Sequence, residues 1–316
     1  MRWCWQKVVE RMGTRSDDRH SGQMSAEDVM RGAQPCFIED PHPWQAGRVS
    51  ARIVALRANN PSPMTYTGTN SYVVAEPGSR GCVVIDPAPA GKQVQNILSQ
   101  CNSGGLQVKA IVVTHDHHDH TEGVHELAQA TGAAVFAPKA LIAADTPDGV
   151  IRVDGVLKEG TFCPFEGAPT FEIVALPGHS HDSIGLLLAE EKALFVGDVV
   201  FRHGPTVVFF PDGNLRDYLQ SLDVIEKMVL DGKVSVLYPA HGWPITDPLC
   251  ALRATRNHRL ERLQQIKDAL AAGTPPDADK LFDVVYAGVD EKLRWASLRS
   301  IKAQLVYLGY PQTLDE

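Results

Sequence analysis

The chain has 316 residues, 44% hydrophobic and 22% charged, with a formal net charge of −8. That make-up is globular, and the length suits one large α/β domain with a small appendage. No apolar run approaches the roughly eighteen residues of a membrane-spanning helix, so no membrane association is expected, and the acidic balance argues against wholesale coating of nucleic acid.

Residues 1–49 hold arginines, tryptophans and acidic residues but no signal-peptide core or small-residue cleavage site. Glu10, Asp17 and Asp18 weaken a transit-peptide reading, so we expect an extension, or a true start nearer Met24. Six scattered cysteines (Cys4, Cys36, Cys82, Cys101, Cys163, Cys250) form no C-x-x-C pair. Several lie in apolar runs, which suits reduced thiols and a cytoplasmic setting.

From about residue 50 short β-rich runs recur: "SARIVALRA", "NSYVVA", "GCVVID", "VKAIVV", "AAVFAP", "FEIVAL", "IGLLLA", "ALFVG" and "VSVLYP". Between them "GKQVQNILSQ" and "TEGVHELAQATG" space apolar residues three and four apart, the helical period. The mixture predicts sheets covered by helices over residues 50–246. At the end of "VKAIVV" comes "THDHHDHTEG", in which His115, His117, Asp119 and His120 spell H-x-H-x-D-H. Imidazole and carboxylate are the ligands Zn²⁺ prefers, and four in this order are a specific signal.

More such residues close later apolar runs. "FEIVALPGHSHD" turns at Pro177-Gly178 into His179, "ALFVGDVV" delivers Asp198, and "VSVLYPAHGWPI" delivers His241. Each sits beside Gly or Pro, at the strand carboxyl ends where α/β proteins build their sites. Residues 247–316 then read as helices. "DPLCALRATRNHRLERLQQIKDALAAGT" has long-helix periodicity closed by Gly273, Pro275 and Pro276, and further along Leu293, Leu298, Ile301 and Leu305 form an apolar stripe. Arg253, Arg256, Arg259 and Arg262 recur every three residues. That spacing drifts around a helix and reads as a solvated face. From Leu249 to Glu316 there are 10 basic residues against 9 acidic, leaving 20 against 29 elsewhere, so the negative charge lies upstream.

This set of motifs resembles the metallo-β-lactamase fold superfamily over roughly residues 50–245. The resemblance implies an αββα sandwich in which His115, His117 and His179 hold one metal and Asp119, His120 and His241 a second, with Asp198 bridging them. Asp86, in "VVIDPAP", would organise the ligand loop. Within the superfamily, "TYTGTNSYVV", "GPTVVFFPDGNLRDYLQSL", "NHRLERLQQI" and the C-terminal segment 279–310 resemble the beta-lactamase-like endoribonucleases with a small winged-helix-like tail. Ser183 departs from that pattern, standing where a histidine is expected.

Two zinc ions roughly 3.5–4 Å apart, with iron or manganese as alternatives, would acidify a bridging water and accept charge from the attacked centre. Asp119 would also orient that nucleophile. Tyr72, Ser183 and His181 are candidates for the leaving-group acid, though each reads more readily as structural; His118 reads as exposed or supporting, His125 as a helix-surface position, and His203 has no assignment. His258 reads equally as closing the pocket or as a surface residue. The leading expectation is a phosphodiesterase acting on single-stranded RNA. The alternative is a hydrolase of small acyl substrates such as thioesters, lactones or β-lactams, and a third reading is an iron-dependent, persulfide-dioxygenase-like oxidoreductase.

Overall fold

The computed structural model describes residues 46–143, 146, 149–202, 204–286, 289 and 293–311. The expected extension, Cys4, Cys36 and His203 therefore lie wholly or almost wholly outside the described residues. The strands, in chain order, are β1 (Gly47–Arg48), β2 (Ile53–Arg57), β3 (Asn70–Val74), β4 (Gly81–Ile85), β5 (Gln107–Val112), β6 (Ala134–Ala137) and β7 (Leu141–Ala143). Next come β8 (Val150–Arg152), β9 (Gly155–Val156), β10 (Gly160–Phe162), β11 (Phe171–Ala175), β12 (Ile184–Leu188), β13 (Ala193–Gly197) and β14 (Val236–Pro239). The helices are α1 (Lys92–Ser103), α2 (His118–Thr121), α3 (Val124–Thr131), α4 (Leu215–Leu230), α5 (Pro248–Ala271), α6 (Ala278–Val285) and α7 (Arg294–Tyr307).

Two mixed sheets form. One runs β1-β2-β3-β4-β5-β6-β9 and the other β10-β11-β12-β13-β14, with β7 and β8 paired apart. Period-two alternation on strands buried on both faces explains their near-continuous apolar sequence. Val83 and Ile85 of β4, Ala110 and Val112 of β5, and Phe195 of β13 point into the seam between the sheets. Their neighbours Cys82, Val84, Ile111 and Val113 turn outward beneath α1 and α3, while Leu194 and Val196 turn outward beneath α4 and α5. The layers therefore stack as helix, sheet, sheet, helix. Each fully buried Leu, Ile or Val contributes about 1.5–3 kcal/mol by leaving water.

Asn214 caps α4 by accepting from the Arg216 and Asp217 amides, and Asp247 caps α5 by accepting from Cys250. The C-terminal segment is helical: α5 packs on the sandwich through Leu252 and Leu263. Ile301 and Leu305, half of the expected stripe, are fully buried against Ile266, Leu281 and Phe282, and Leu298 packs partly buried on them. No strand succeeds β14 among the described residues, so only the helical part of the expected tail is visible there. Cys82 and Cys101 are buried thiols with sulfurs 3.7 Å apart. Cys250 departs from the reduced-thiol reading, being disulfide-bonded. Among the described residues no helix is long and apolar enough to cross a membrane.

Candidate metal centre

The strands that pair in parallel place the site. β4 pairs with β5, and β13 with β14, in parallel, so their carboxyl ends bring Asp86, His115, Asp198 and His241 to one edge. Asp86 adopts a left-handed backbone (φ 49°) that a non-glycine residue rarely takes, and its carboxylate turns onto the next loop. Oδ1 accepts the Thr114 amide at 2.8 Å, and Oδ2 meets the Thr114 hydroxyl at 2.8 Å and His120 Nδ1 at 2.9 Å. The expected organising role of Asp86 thus has a structural basis.

Two glycines allow close approach. A Cβ on Gly178 (φ 129°) would lie 2.2 Å from the Tyr218 amide nitrogen, and one on Gly197 (φ 49°) 2.8 Å from Thr114 Oγ1. The Gly178 turn aims His179, and the Gly197 turn aims Asp198. From β3, the side chains of Asn70 and Tyr72 donate to the Pro239 carbonyl at 3.0 and 2.6 Å, and Asn70 also donates to that of Gly242 at 2.8 Å. The His241 turn is pinned in this way.

All seven expected ligands come together in two clusters, His115–His117–His179 and Asp119–His120–Asp198–His241, with the candidate ligand atoms of each within 4.8 Å of one another. In the first, His117 Nδ1 lies 3.0 Å from both His115 Nε2 and His179 Nε2. In the second, Asp198 Oδ1 lies 3.3 Å from His120 Nε2 and 3.4 Å from His241 Nε2; its Oδ2 faces His179 Nε2 at 3.6 Å. One carboxylate therefore reaches both clusters. His120 Nε2, His241 Nε2 and Asp198 Oδ1 are buried without a hydrogen-bond partner, a costly arrangement for polar atoms unless a cation occupies their midst. The donor set fits a pair of divalent ions.

The remaining ring nitrogens are mostly held. His179 Nδ1 meets the Val207 carbonyl at 2.8 Å, His115 Nδ1 the Thr114 hydroxyl at 3.1 Å, and His117 Nε2 Asp212 Oδ2 at 3.1 Å. Such partners fix which nitrogen is free for metal. Electrostatics follow burial first. Burial, then the neighbouring imidazoles, push His115 well below the usual histidine range; burial likewise lowers His179 to about 4, outweighing Asp198. Burial opposes charge on His241 as well, but Asp198 and Asp119 lift it to about 9. Asp119 falls to about 2, where His120 and His241 overcome burial. Asp119 is the carboxylate of the second cluster that reaches solvent, its side chain 31% exposed.

The candidate leaving-group acids separate. The Tyr72 hydroxyl is committed to Pro239, and buried Ser183 pairs with Ser180 at 2.6 Å, so neither faces the clusters as a free donor. His181 is exposed and pairs with Asp212. His118 is exposed and lies 3.7 Å from Glu122, His125 is half-buried on α3, and His258 is half-buried on α5. Sequence reasoning misses Asp212, which reaches His117 and His181 together. It also misses the brace beneath the ligand loop, where Lys139 pairs with Asp116 and, at 3.7 Å, with Asp182. The "PDG" turn around Asp212 is the only local signal for the first.

The model described as the metallo-beta-lactamase superfamily matches residues 64–241. The chain is 29% identical over 258 residues to a beta-lactamase-like protein 2 homolog of Caenorhabditis elegans, covering 82% of this chain and 84% of that one. It is 32% identical over 236 residues to an atrochrysone carboxyl ACP thioesterase of Aspergillus chevalieri, covering 74% and 70%. A beta-lactamase domain protein of Burkholderia ambifaria shares the fold at a TM-score of 0.70 and 20% identity, covering 85% of this chain and 90% of its own.

Proposed function

The chain belongs to the metallo-β-lactamase superfamily, and from that footing we propose that this metal-dependent hydrolase cleaves an acyl thioester, with lactones as the neighbouring substrate class. One observation carries the reading: Asp198 joins two ligand clusters beside a solvent-facing Asp119. That arrangement suits attack by an activated water on a carbonyl. The likeness to a carrier-protein thioesterase, at 32% identity, favours a carbonyl over the phosphodiester of single-stranded RNA that the motif resemblance put first.

His115, His117 and His179 would hold one ion, Asp119, His120 and His241 the other, with Asp198 shared; zinc suits the donor set, and iron or manganese are the alternatives. When bound, such a pair supplies an acidified water and accepts the charge that develops on the carbonyl oxygen. Asp119 would orient that water, its backbone carbonyl accepting from the Thr69 hydroxyl at 3.2 Å. The thiolate leaving group needs little help, which fits a site whose only exposed acid candidate among the described residues is His181.

The test is a substrate panel: on zinc-loaded protein an acyl thioester of N-acetylcysteamine, a homoserine lactone, a β-lactam and unstructured RNA, and on iron-loaded protein a persulfide followed by oxygen uptake. Thioester turnover that disappears in Asp198→Ala is the expected result. Cleavage of RNA with the thioester untouched overturns the proposal in favour of a phosphodiesterase, and oxygen uptake on the persulfide overturns it in favour of the oxidoreductase.

A further inference from the structure

Helix α5 carries four arginines at three-residue spacing, and the fold treats them differently. Arg253 faces Glu226 at 3.9 Å, and Arg256 holds Asp223 at 2.6 Å and Glu226 at 3.4 Å. Arg262 lies over the Tyr286 ring, 4.8 Å from its centre. Arg259 is the exception to the expected solvated face. It is only 7% exposed, and no carboxylate comes within ion-pair distance of it among the described residues. Its guanidinium carbon stands 5.7 Å from the centre of the Tyr218 ring, while its Nε is buried without a hydrogen-bond partner. One turn earlier on the same helix face, Thr255 is fully buried and its hydroxyl is also unpartnered.

A buried cation with no counter-ion among the described residues is costly, and its contact with Tyr218 offsets only part of that cost. Its location suggests what completes it. The Tyr218 hydroxyl donates to the Val199 carbonyl at 2.6 Å, one residue past Asp198, so Arg259 lies just behind the edge where the two clusters meet. Tyr66 stands on the metal side, against Phe201. Its backbone is left-handed (φ 54°), a strain that a bulky residue keeps only when its surroundings impose it. Its ring packs edge-on to Phe201 at 5.5 Å, and Phe201 lies 5.5 Å from the His241 ring. Burial chiefly, and Asp198 next, push the Tyr66 hydroxyl up to about 12, with Arg259 acting in the opposite sense. That hydroxyl is a neutral donor.

We propose that Arg259, with the Thr255 and Tyr66 hydroxyls, forms an oxyanion subsite beside the metal centre that takes a carboxylate or phosphate of the substrate. A planar guanidinium, with one hydroxyl a turn earlier on its own helix and a second on the metal side, matches a two-oxygen anion. On the acyl-thioester reading, on which this identification of the substrate rests, the anion has two sources: a carboxylate on the acyl part or a phosphate on the carrier arm. The subsite adjoins the reacting edge, whereas the arm's phosphate is held away by the whole pantetheine length. The acyl carboxylate is the source the geometry favours.

The experiment uses three thioesters and zinc-loaded full-length protein, wild type and Arg259→Met. Glutaryl-N-acetylcysteamine carries a terminal carboxylate, pentanoyl-N-acetylcysteamine is its neutral counterpart, and pentanoyl-coenzyme A carries phosphates without an acyl carboxylate. The readout is the ratio of kcat/KM between substrates, which loss of folded protein leaves unchanged. Wild type should prefer glutaryl over pentanoyl by about 10- to 100-fold, and Arg259→Met should bring that ratio near unity. Loss of a coenzyme A preference instead retains the subsite and moves the source to phosphate. Ratios identical in wild type and variant overturn it.

Should no thioester turn over, the hydrolase reading falls while the subsite is still judged, by thermal shift with glutarate and with inorganic phosphate. Stabilisation lost in Arg259→Met supports it, and equal shifts in both proteins, or an adventitious ion only, overturn it. If Arg259→Met does not fold, Thr255→Val and Tyr66→Phe replace it, with the same ratios read.

Discussion

Replacing Asp212 with alanine should weaken one metal position and spare the other. The Asp212 carboxylate accepts from His117 Nε2 at 3.1 Å, which leaves Nδ1 free beside His115 and His179. A hydrogen bond to a charged acceptor contributes about 1.5–3 kcal/mol, or one to two powers of ten in affinity. Both partners are about a third exposed, 34% and 37%, so solvent screening places the effect at the lower end, about tenfold. Metal-free stability should fall by less than about 1 kcal/mol, because little apolar surface is involved. Zinc titration against a chromophoric chelator resolves the two affinities, and urea unfolding of the stripped protein gives the stability. Asp212→Asn keeps an acceptor and should recover part of the loss. The reasoning fails if neither affinity changes, if both weaken equally, or if the stripped variant unfolds several kcal/mol earlier.

Asp198→Ala should lower metal content from about two ions to one or none and abolish turnover while far-ultraviolet circular dichroism stays native, since the residue meets both clusters. Gly178→Ala should destabilise by more than about 3 kcal/mol in denaturant titration, because its Cβ would sit 2.2 Å from the Tyr218 backbone nitrogen. Chelation should lower the melting temperature by several degrees, restored by zinc, as a ligand bound only to the folded state requires. Burial first, then Arg259 and Arg262, hold His258 neutral down to about 3, against an ordinary value of 6.5. The unfolded chain therefore takes the proton first as pH drops, and stability present above 6.5 is lost toward 3. His258→Gln should flatten that loss, read as melting temperature against pH.

Much of the site is legible in the sequence because its strands are buried on both faces. An apolar run ending in Gly, Pro or Thr and then a ligand type marks a strand's carboxyl end without ambiguity of register. His115, His179, Asp198 and His241 all stand there, and the spacing within "HDHHDH" supplies the other three. Asp212 is different. It meets His117 across 95 positions, and a Pro-Asp-Gly turn looks the same whether or not a histidine waits opposite. Tyr72 has the structural role its sequence favours, but a strand pattern says which face a hydroxyl takes and not which carbonyl it meets. Arg259 is misread because a three-residue spacing carries successive arginines around the helix, and the surroundings of each depend on what α4 presents to it. Ends of elements are read locally, whereas what lies across a gap is decided by the partner.

The ligand side chains come from both halves of the sandwich: His115, His117, Asp119 and His120 follow β5, while His179, Asp198 and His241 follow strands of the other sheet. Ions seated between them would act as rivets through two stacked plates. Extracting them would do more than silence chemistry: the plates should become freer to shear, and limited proteolysis should register that slackening as new cuts near the rim before either plate has melted.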